Sequence, residues 1–258
     1  MSAATVVPHD PAPTTAARPL ATGRAYGPTA AARLARAAGI PPPQGPYTGA
    51  VTLGTAAVPP NAGSSAAVPG SPLVLGPGAV LVPVKAFAEA KQRLGTALTD
   101  EARQALVRRM AERVVAAAAP LPVAVVCDDN EVADWARLRG ALVVWEPGRG
   151  LNGAVEAGVS HLATMGVEWV TVAHGDLPRA VGLGTLPPFD GITLVPDRRG
   201  NGTNVVHLPA ECGFRFSYGP GSFARHCSES ARIGQPLRVL RSPALAIDVD
   251  WPTDLRWT

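Results

Sequence analysis

From Ala79 onward the chain switches repeatedly between two hydrophobic periods. Short runs dense in Val, Leu and Ile predict strands at residues 79–84, 123–127, 141–145, 168–173, 191–195, 204–208, 236–240 and 244–248. Longer segments with apolar residues three and four apart predict helices at 100–119, 131–139, 151–165 and 222–232. In the first of these, Ala102, Leu106, Met110 and Val114 form the stripe, and Thr99 or Asp100 supplies the cap. Residues 86–94 are basic and irregular. Short strands alternating with helices predict an α/β fold, a single three-layer domain on a mostly parallel mixed sheet. Residues 79–258 are enough for one domain with a substantial core.

Residues 1–78 have a different character. They contain 19 Ala, 14 Pro and 10 Gly, with no Phe or Trp, so few bulky groups are available to offset the entropy of ordering a chain. A disordered Ala/Pro/Gly-rich tail is expected there. Arg18, Arg24, Arg33 and Arg36 outnumber its single acid, Asp10, by three, so the net charge of +3 belongs to the tail. Basic and acidic groups balance in 79–258, which argues against nucleic acid as a partner. No apolar run is long enough to span a membrane, and no secretory leader is recognisable. Cys127, Cys212 and Cys227 match no zinc spacing and fit a reducing, cytoplasmic setting.

In open α/β sheets, ligands sit beyond the carboxyl ends of the strands, and the unusual residues cluster there. Lys85, Lys91 and Arg93 follow the first strand and are candidate phosphate-holding cations. Asp128 and Asp129 follow the second, where one of them is expected to cap the next helix. Gly148-Arg149-Gly150-Leu151-Asn152 opens a helix, a place where backbone N–H groups receive a nucleotide and Asn152 can bond a base or sugar. Asp176, in Gly175-Asp176-Leu177-Pro178, is a metal ligand or a cap.

Two glycine-rich loops, Asp197-Arg198-Arg199-Gly200-Asn201-Gly202-Thr203 and Tyr218-Gly219-Pro220-Gly221-Ser222, have the small residues and hydroxyls of anion cradles. Finally, Asp248 and Asp250 lie two apart in an extended run and share a face. Their mutual repulsion calls for a metal, a Lys or an Arg, unless one merely caps the turn after Pro252. Asp254, in that first turn, suits the helix dipole without a ligand.

Val82-Pro83-Val84-Lys85, Ala90-Lys91-Gln92-Arg93-Leu94, Gly150-Leu151-Asn152, Gly175-Asp176-Leu177-Pro178, Gly202-Thr203-Asn204, Gly219-x-Gly221-Ser222-Phe223-x-x-His226 and Asp248-Val249-Asp250-x-Pro252-x-Asp254-Leu255 occur in this order. The set, which covers residues 79–258, resembles the 2-phospho-L-lactate/phosphoenolpyruvate guanylyltransferases of coenzyme F420 biosynthesis. The resemblance implies a nucleotide-diphospho-sugar-transferase-like nucleotidyltransferase domain, GTP as donor, a small phospho-acid as acceptor and Mg²⁺. By the same resemblance, Asp176, Asp248 and Asp250 hold the metal, and Thr203, Gly219 and Ser222 contact the acid. A downstream F420-pathway transferase is the partner it implies. Trp251 departs from the small polar residue usual at its position and is expected to narrow the acid pocket.

The residue inventory fits that chemistry. A phosphate oxygen that attacks the α-phosphorus of a nucleotide is already ionised, so it needs charge neutralisation and alignment rather than a general base. Aspartates, lysines and anion loops are present, whereas no Ser-His-Asp or Cys-His arrangement stands out. Two other classes remain open: a non-catalytic nucleotide-binding module, and a metal-dependent glycosyltransferase of similar fold.

Overall fold

The computed structural model describes residues 75–258; the expected tail lies outside them except for its last four residues. Seven strands form one sheet: β1 (Gly78–Pro83), β2 (Val123–Cys127), β3 (Leu142–Trp145), β4 (Trp169–Ala173), β5 (Ile192–Pro196), β6 (Thr203–Pro209) and β7 (Leu237–Val239). Their order is β3-β2-β1-β4-β6-β5-β7. β1 pairs in parallel with β2 and β4, β2 with β3, and β5 with β7, while β6 runs antiparallel to both β4 and β5. The sheet is thus mixed and mostly parallel, as the pattern predicts.

Four helices cover it: α1 (Asp100–Ala117), α2 (Asn130–Leu138), α3 (Gly150–Thr164) and α4 (Ser222–Arg232). The alternation within β1 sorts them into layers. Val80 and Val82 point into a core shared with α1 and α2, through Leu106, Met110, Val114, Val132 and Trp135. Ala79 and Leu81 point the other way, toward Val155, Val159 and Leu162 of α3. Phe223 and Cys227 bring α4 onto that same side. Three layers result.

Two predicted elements differ in instructive ways. In α1 the buried stripe starts from Arg103 rather than Ala102, which is exposed. The strand expected at 244–248 does not form. Residues 243–246 turn, and the chain then runs extended to Asp250 without joining the sheet. Its period-2 burial survives, with Leu245, Ile247 and Val249 buried and Asp248 and Asp250 half-exposed. The reason lies in its bonding: the Leu245 carbonyl accepts from the Asn204 side chain and that of Ala246 from the Arg198 amide, so no strand ladder is left to build. A 3-10 helix, Pro252–Trp257, follows it.

Packing is closest where the short 3-10 helix Leu183–Thr185 meets the end of α1. A Cβ on Gly184 would lie 1.9 Å from the Ala118 carbonyl oxygen, a backbone atom that cannot swing away. Gly184→Ala is therefore expected to destabilise the domain by about 1–3 kcal/mol and lower its melting temperature by several degrees. Thermal denaturation followed by circular dichroism tests this, and an unchanged midpoint would mean that the 183–185 segment can retreat.

Candidate active site

The loops after β1 and β4 and the extended C-terminal segment meet around one ammonium group. Lys91 Nζ lies 2.5 Å from Asp176 Oδ2 and 2.5 Å from Asp250 Oδ1. Asp176 arrives three residues beyond fully buried β4, whose last residues are Val172 and Ala173. Asp250 arrives on the extended C-terminal segment. Of the options open for the Asp248/Asp250 pair, a lysine is the cation this structure provides.

Lys91 reaches this position through an unusual backbone. It is the one non-glycine among the described residues with positive φ, at φ 55 and ψ 38, a conformation that costs on the order of 1 kcal/mol or more. Arg103 holds the preceding loop in place. Its buried guanidinium donates to the carbonyls of Phe87, Ala88 and Ala90 and to Asp100 on its own helix. That role was missing from the sequence reading, although a charged side chain on the apolar stripe of α1 was a visible signal.

The charges are unequal. Asp176 and Asp250 share the Lys91 ammonium, and Asp248 lies near both carboxylates without reaching it. Burial opposes ionisation of Asp176, yet Lys91 holds its carboxyl below the ordinary range. Burial likewise opposes the charge on Lys91, and Asp176 and Asp250 raise its pKa above the usual lysine value. Asp248 has no such partner. Burial, reinforced by the charges of Asp176 and Asp250, pushes its carboxyl up to about 7. Asp176 Oδ1 is buried without any hydrogen-bond partner. As the side chains stand, no group of three or more His, Cys, Asp or Glu among the described residues is gathered around a metal position.

Asp254 anchors the turn. Its buried carboxylate accepts from the amides of Asp250 (3.1 Å) and Trp251 (3.0 Å) and pairs with Arg198. This fixes the chain direction immediately after the metal-candidate pair.

Beside Lys91 and Asp176 opens a cavity of about 410 Å³. Its walls include Val84, Val107, Val126 and Leu151, and its polar groups include Lys85, Asp128, Glu146 and His174. Lys85 is well exposed and paired with Glu89 at 3.1 Å, a surface contact that contributes little and yields easily to a ligand. Asp129, not Asp128, caps α2 by accepting from the Val132 amide.

Two expected ligand-binding residues lie elsewhere. Arg93 stacks over the Trp251 ring at 4.7 Å and does not line the cavity. Trp251, half-exposed, is thus engaged with Arg93. Asn152 does not line the cavity either: its Oδ1 accepts from the Tyr218 amide at 2.7 Å and ties the start of α3 to the 217–221 loop.

The two glycine loops come together. The Phe223 amide donates to Asn201 O, and His226 Nδ1 lies 3.0 Å from Thr203 Oγ1. Gly219, with φ 110, and Gly221, with φ 76, supply the left-handed turns that deliver Ser222 to the helix start. Much of their donor capacity is already used. Ser222 N donates to Gly219 O, and Arg225 donates its guanidinium to Ser217, Tyr218, Gly219 and Pro220, so this arginine is no free cation.

Thr203 is a different case. The Ser217 amide donates to His226 Nε2, which must then be unprotonated. Burial, then the neighbouring Arg225, lower the His226 pKa to about 4, so near neutrality the ring is uncharged and its proton sits on Nδ1. Nδ1–H donates to Thr203 Oγ1, leaving the threonine hydroxyl hydrogen free for another acceptor. Thr203 itself sits at the start of β6, next to the end of β4, where the His174 amide donates to Asn204 O.

With this geometry described, comparison with known proteins is decisive. A family profile described as "Guanylyl transferase CofC like" matches residues 78–257. The chain belongs to the CofC-like guanylyl transferase family. Among relatives of the CofC-like chain, the phosphoenolpyruvate guanylyltransferase of Sphaerobacter thermophilus is 35% identical over 68% of this chain and 89% of its own. That of Rubrobacter xylanophilus is 36% identical over 68% and 90%.

Solved structures agree on the fold. A nucleotide-diphospho-sugar transferase of Desulfovibrio desulfuricans G20 superposes with a TM-score of 0.57 at 16% identity, over 70% of this chain and 85% of its own. A nucleotidyl transferase of Methanothermobacter thermautotrophicus gives 0.51 at 14% identity, over 70% and 94%. The CofC-like chain is a nucleotidyltransferase with a guanylyltransferase role. No helix among its described residues is long and apolar enough to cross a membrane.

The position of Asp248 yields a stability prediction. Its pKa rises from an ordinary 3.8 to about 7 on folding, so it favours the folded state below pH 4 and loses that contribution as pH climbs through 7. In metal-free buffer, Asp248→Asn should therefore melt higher than the wild type at pH 8 and equally at pH 4. Differential scanning calorimetry at the two pH values checks the sign, and a variant less stable at pH 8 would refute the uncompensated-charge account.

Proposed function

We propose that this enzyme transfers GMP from GTP to phosphoenolpyruvate, releasing pyrophosphate, in the biosynthesis of coenzyme F420. 2-Phospho-L-lactate is the alternative acceptor of the same chemical class. The observation that carries the reading is the Lys91 ammonium held between Asp176 and Asp250 beside the cavity, in a chain whose relatives are named phosphoenolpyruvate guanylyltransferases.

In the reaction, a phosphate oxygen of the acceptor forms a bond to the α-phosphorus of GTP, and the bond to the bridging oxygen of the β-phosphate breaks. Both reactants and the leaving pyrophosphate are anionic, so the barrier is dominated by charge and alignment. Lys85 and Lys91 bring positive charge to the donor phosphates from the loop after β1. Thr203, with its hydroxyl hydrogen left free by His226, donates to the acceptor, and Gly219 and Ser222 border it from the second loop.

The carboxylates fit Mg²⁺. Asp176 Oδ1 is buried and unpartnered, and Asp248 carries a charge that no protein cation offsets. Asp176, Asp248 and Asp250 would hold the ion, with Lys91 released toward the phosphates. When bound, the metal neutralises phosphate charge and orients the reacting groups. The product is a reactive phosphoanhydride, so a transferase that consumes it is the partner this chemistry calls for.

Pyrophosphate release with GTP, Mg²⁺ and phosphoenolpyruvate is the direct test. Asp176→Ala should reduce it by at least about a hundredfold, the scale of losing a charge-stabilising group. Turnover near the wild-type rate would exclude this carboxylate from the centre, and no turnover by folded wild type with either acid would favour a binding module.

A second prediction concerns pH. Metal binding must displace the Asp248 proton, so Mg²⁺ affinity should rise about tenfold per unit of pH below 7 and level off above it. Calorimetric titration in buffers of different ionisation heat reads the released proton directly. Affinity independent of pH between 5.5 and 7 would remove Asp248 from the ligand set.

A further inference from the structure

The cavity has two chemically distinct ends. Lys85, Lys91 and Asp176 stand at the ends of β1 and β4, where cations meet phosphates. Asp128 and Glu146 stand at the ends of β2 and β3, on the far side of β1 in the order β3-β2-β1-β4. At about 4.8 Å per strand, Glu146 lies roughly 14 Å across the sheet from Asp176, the scale of an extended nucleotide. Between the two ends the lining is largely apolar, a surface suited to a purine ring and not to a charged group.

The lining at this end carries carboxylates and no lysine or arginine, since Arg149 stands behind Glu146 and outside the lining, so a carboxylate here meets phosphates with repulsion and faces the base instead. Purine and pyrimidine edges differ there. Guanine presents two adjacent donors, N1–H and the 2-amino group, whereas adenine presents an acceptor at N1 and cytosine an acceptor at N3. A carboxylate only accepts, so guanine offers it two adjacent donors, whereas adenine and cytosine set a single amino donor beside a ring nitrogen whose lone pair repels the second oxygen.

Glu146 is the better placed of the two acids. Its amide donates to Cys127 O at 3.0 Å, which registers it against the end of β2. Arg149 Nε holds its Oε2 at 2.6 Å, and Oε1 has no protein donor among the described residues. Its side chain is 23% exposed, compatible with facing the cavity, whereas Asp128 is an exposed residue with no partner among the described residues to fix its rotamer.

We infer that Glu146, oriented by Arg149, reads the Watson–Crick edge of guanine and makes the enzyme selective for GTP. This rests on the proposed use of GTP as donor and adds the residue that recognises it.

The test is equilibrium binding of GTP, ITP, ATP and XTP to the full-length protein with Mg²⁺, for the wild type, Glu146→Gln and Asp128→Asn. Wild type should bind GTP at least about tenfold tighter than ITP, which lacks the 2-amino donor. In Glu146→Gln that ratio should collapse toward one, while the KM for the acceptor acid stays unchanged. The same variant should gain affinity for XTP, because an amide matches the donor–acceptor edge of xanthine, and a gain cannot arise from misfolding.

An unchanged GTP-to-ITP ratio in Glu146→Gln without XTP gain overturns the assignment, as does collapse of the ratio in Asp128→Asn instead. A wild type that does not prefer GTP overturns the choice of donor itself, and the inference with it.

Discussion

The site depends on one unequal charge balance: a single ammonium, that of Lys91, among three carboxylates. Like charges brought together at strand ends must be offset, or the fold that gathers them is penalised. Here the offset is partial. Lys91 stabilises Asp176 and Asp250, while Asp248 remains close enough to be pushed toward neutrality. That incompleteness leaves negative charge unoffset beside the cavity, and it is maintained by residues that do not line it. Arg103 fixes the loop that bends Lys91 into its left-handed conformation, and Asp254 fixes the turn that follows Asp250.

Much of the fold was legible because burial writes its period into sequence. β1, β2 and β4 are nearly continuous apolar runs, as expected of strands covered on both faces, and α1 and α2 announce themselves by stripe and cap, whereas α3 and α4 start at glycine turns without a capping side chain. The segment ending in Asp248 and Asp250 was only half legible. Its alternation correctly put both carboxylates on one side, but alternation cannot say whether a neighbouring strand will accept the backbone. Here Asn204 and the Arg198 amide took the carbonyls first.

The candidate site divides in the same way. Asp176 and Lys91 were visible from their places at strand ends, and they meet in space. Arg93 and Asn152 had the right chemistry and neighbourhood, but their side chains were claimed by Trp251 and the Tyr218 amide. Such competition between partners depends on rotamers and distances that spacing along the chain does not encode. Arg103 and Glu146 are hard to read from the sequence for opposite reasons: one charge hides in an apolar stripe, the other in a short loop outside any motif.

The reversal of β6 has a wider meaning. In a fully parallel sheet every strand begins on the edge away from the ligand, and only its end can contribute. Because β6 alone among its neighbours runs backwards, its first residue, Thr203, and the hairpin loop from β5 open onto the same edge as Asp176. The parallel strands β1 and β4 lead to Lys91 and Asp176, and the hairpin leads to Thr203. Under the roles proposed for Thr203 and Asp176, a reversed strand and a parallel one present their groups to a single site from the two sides of the β4–β6 seam.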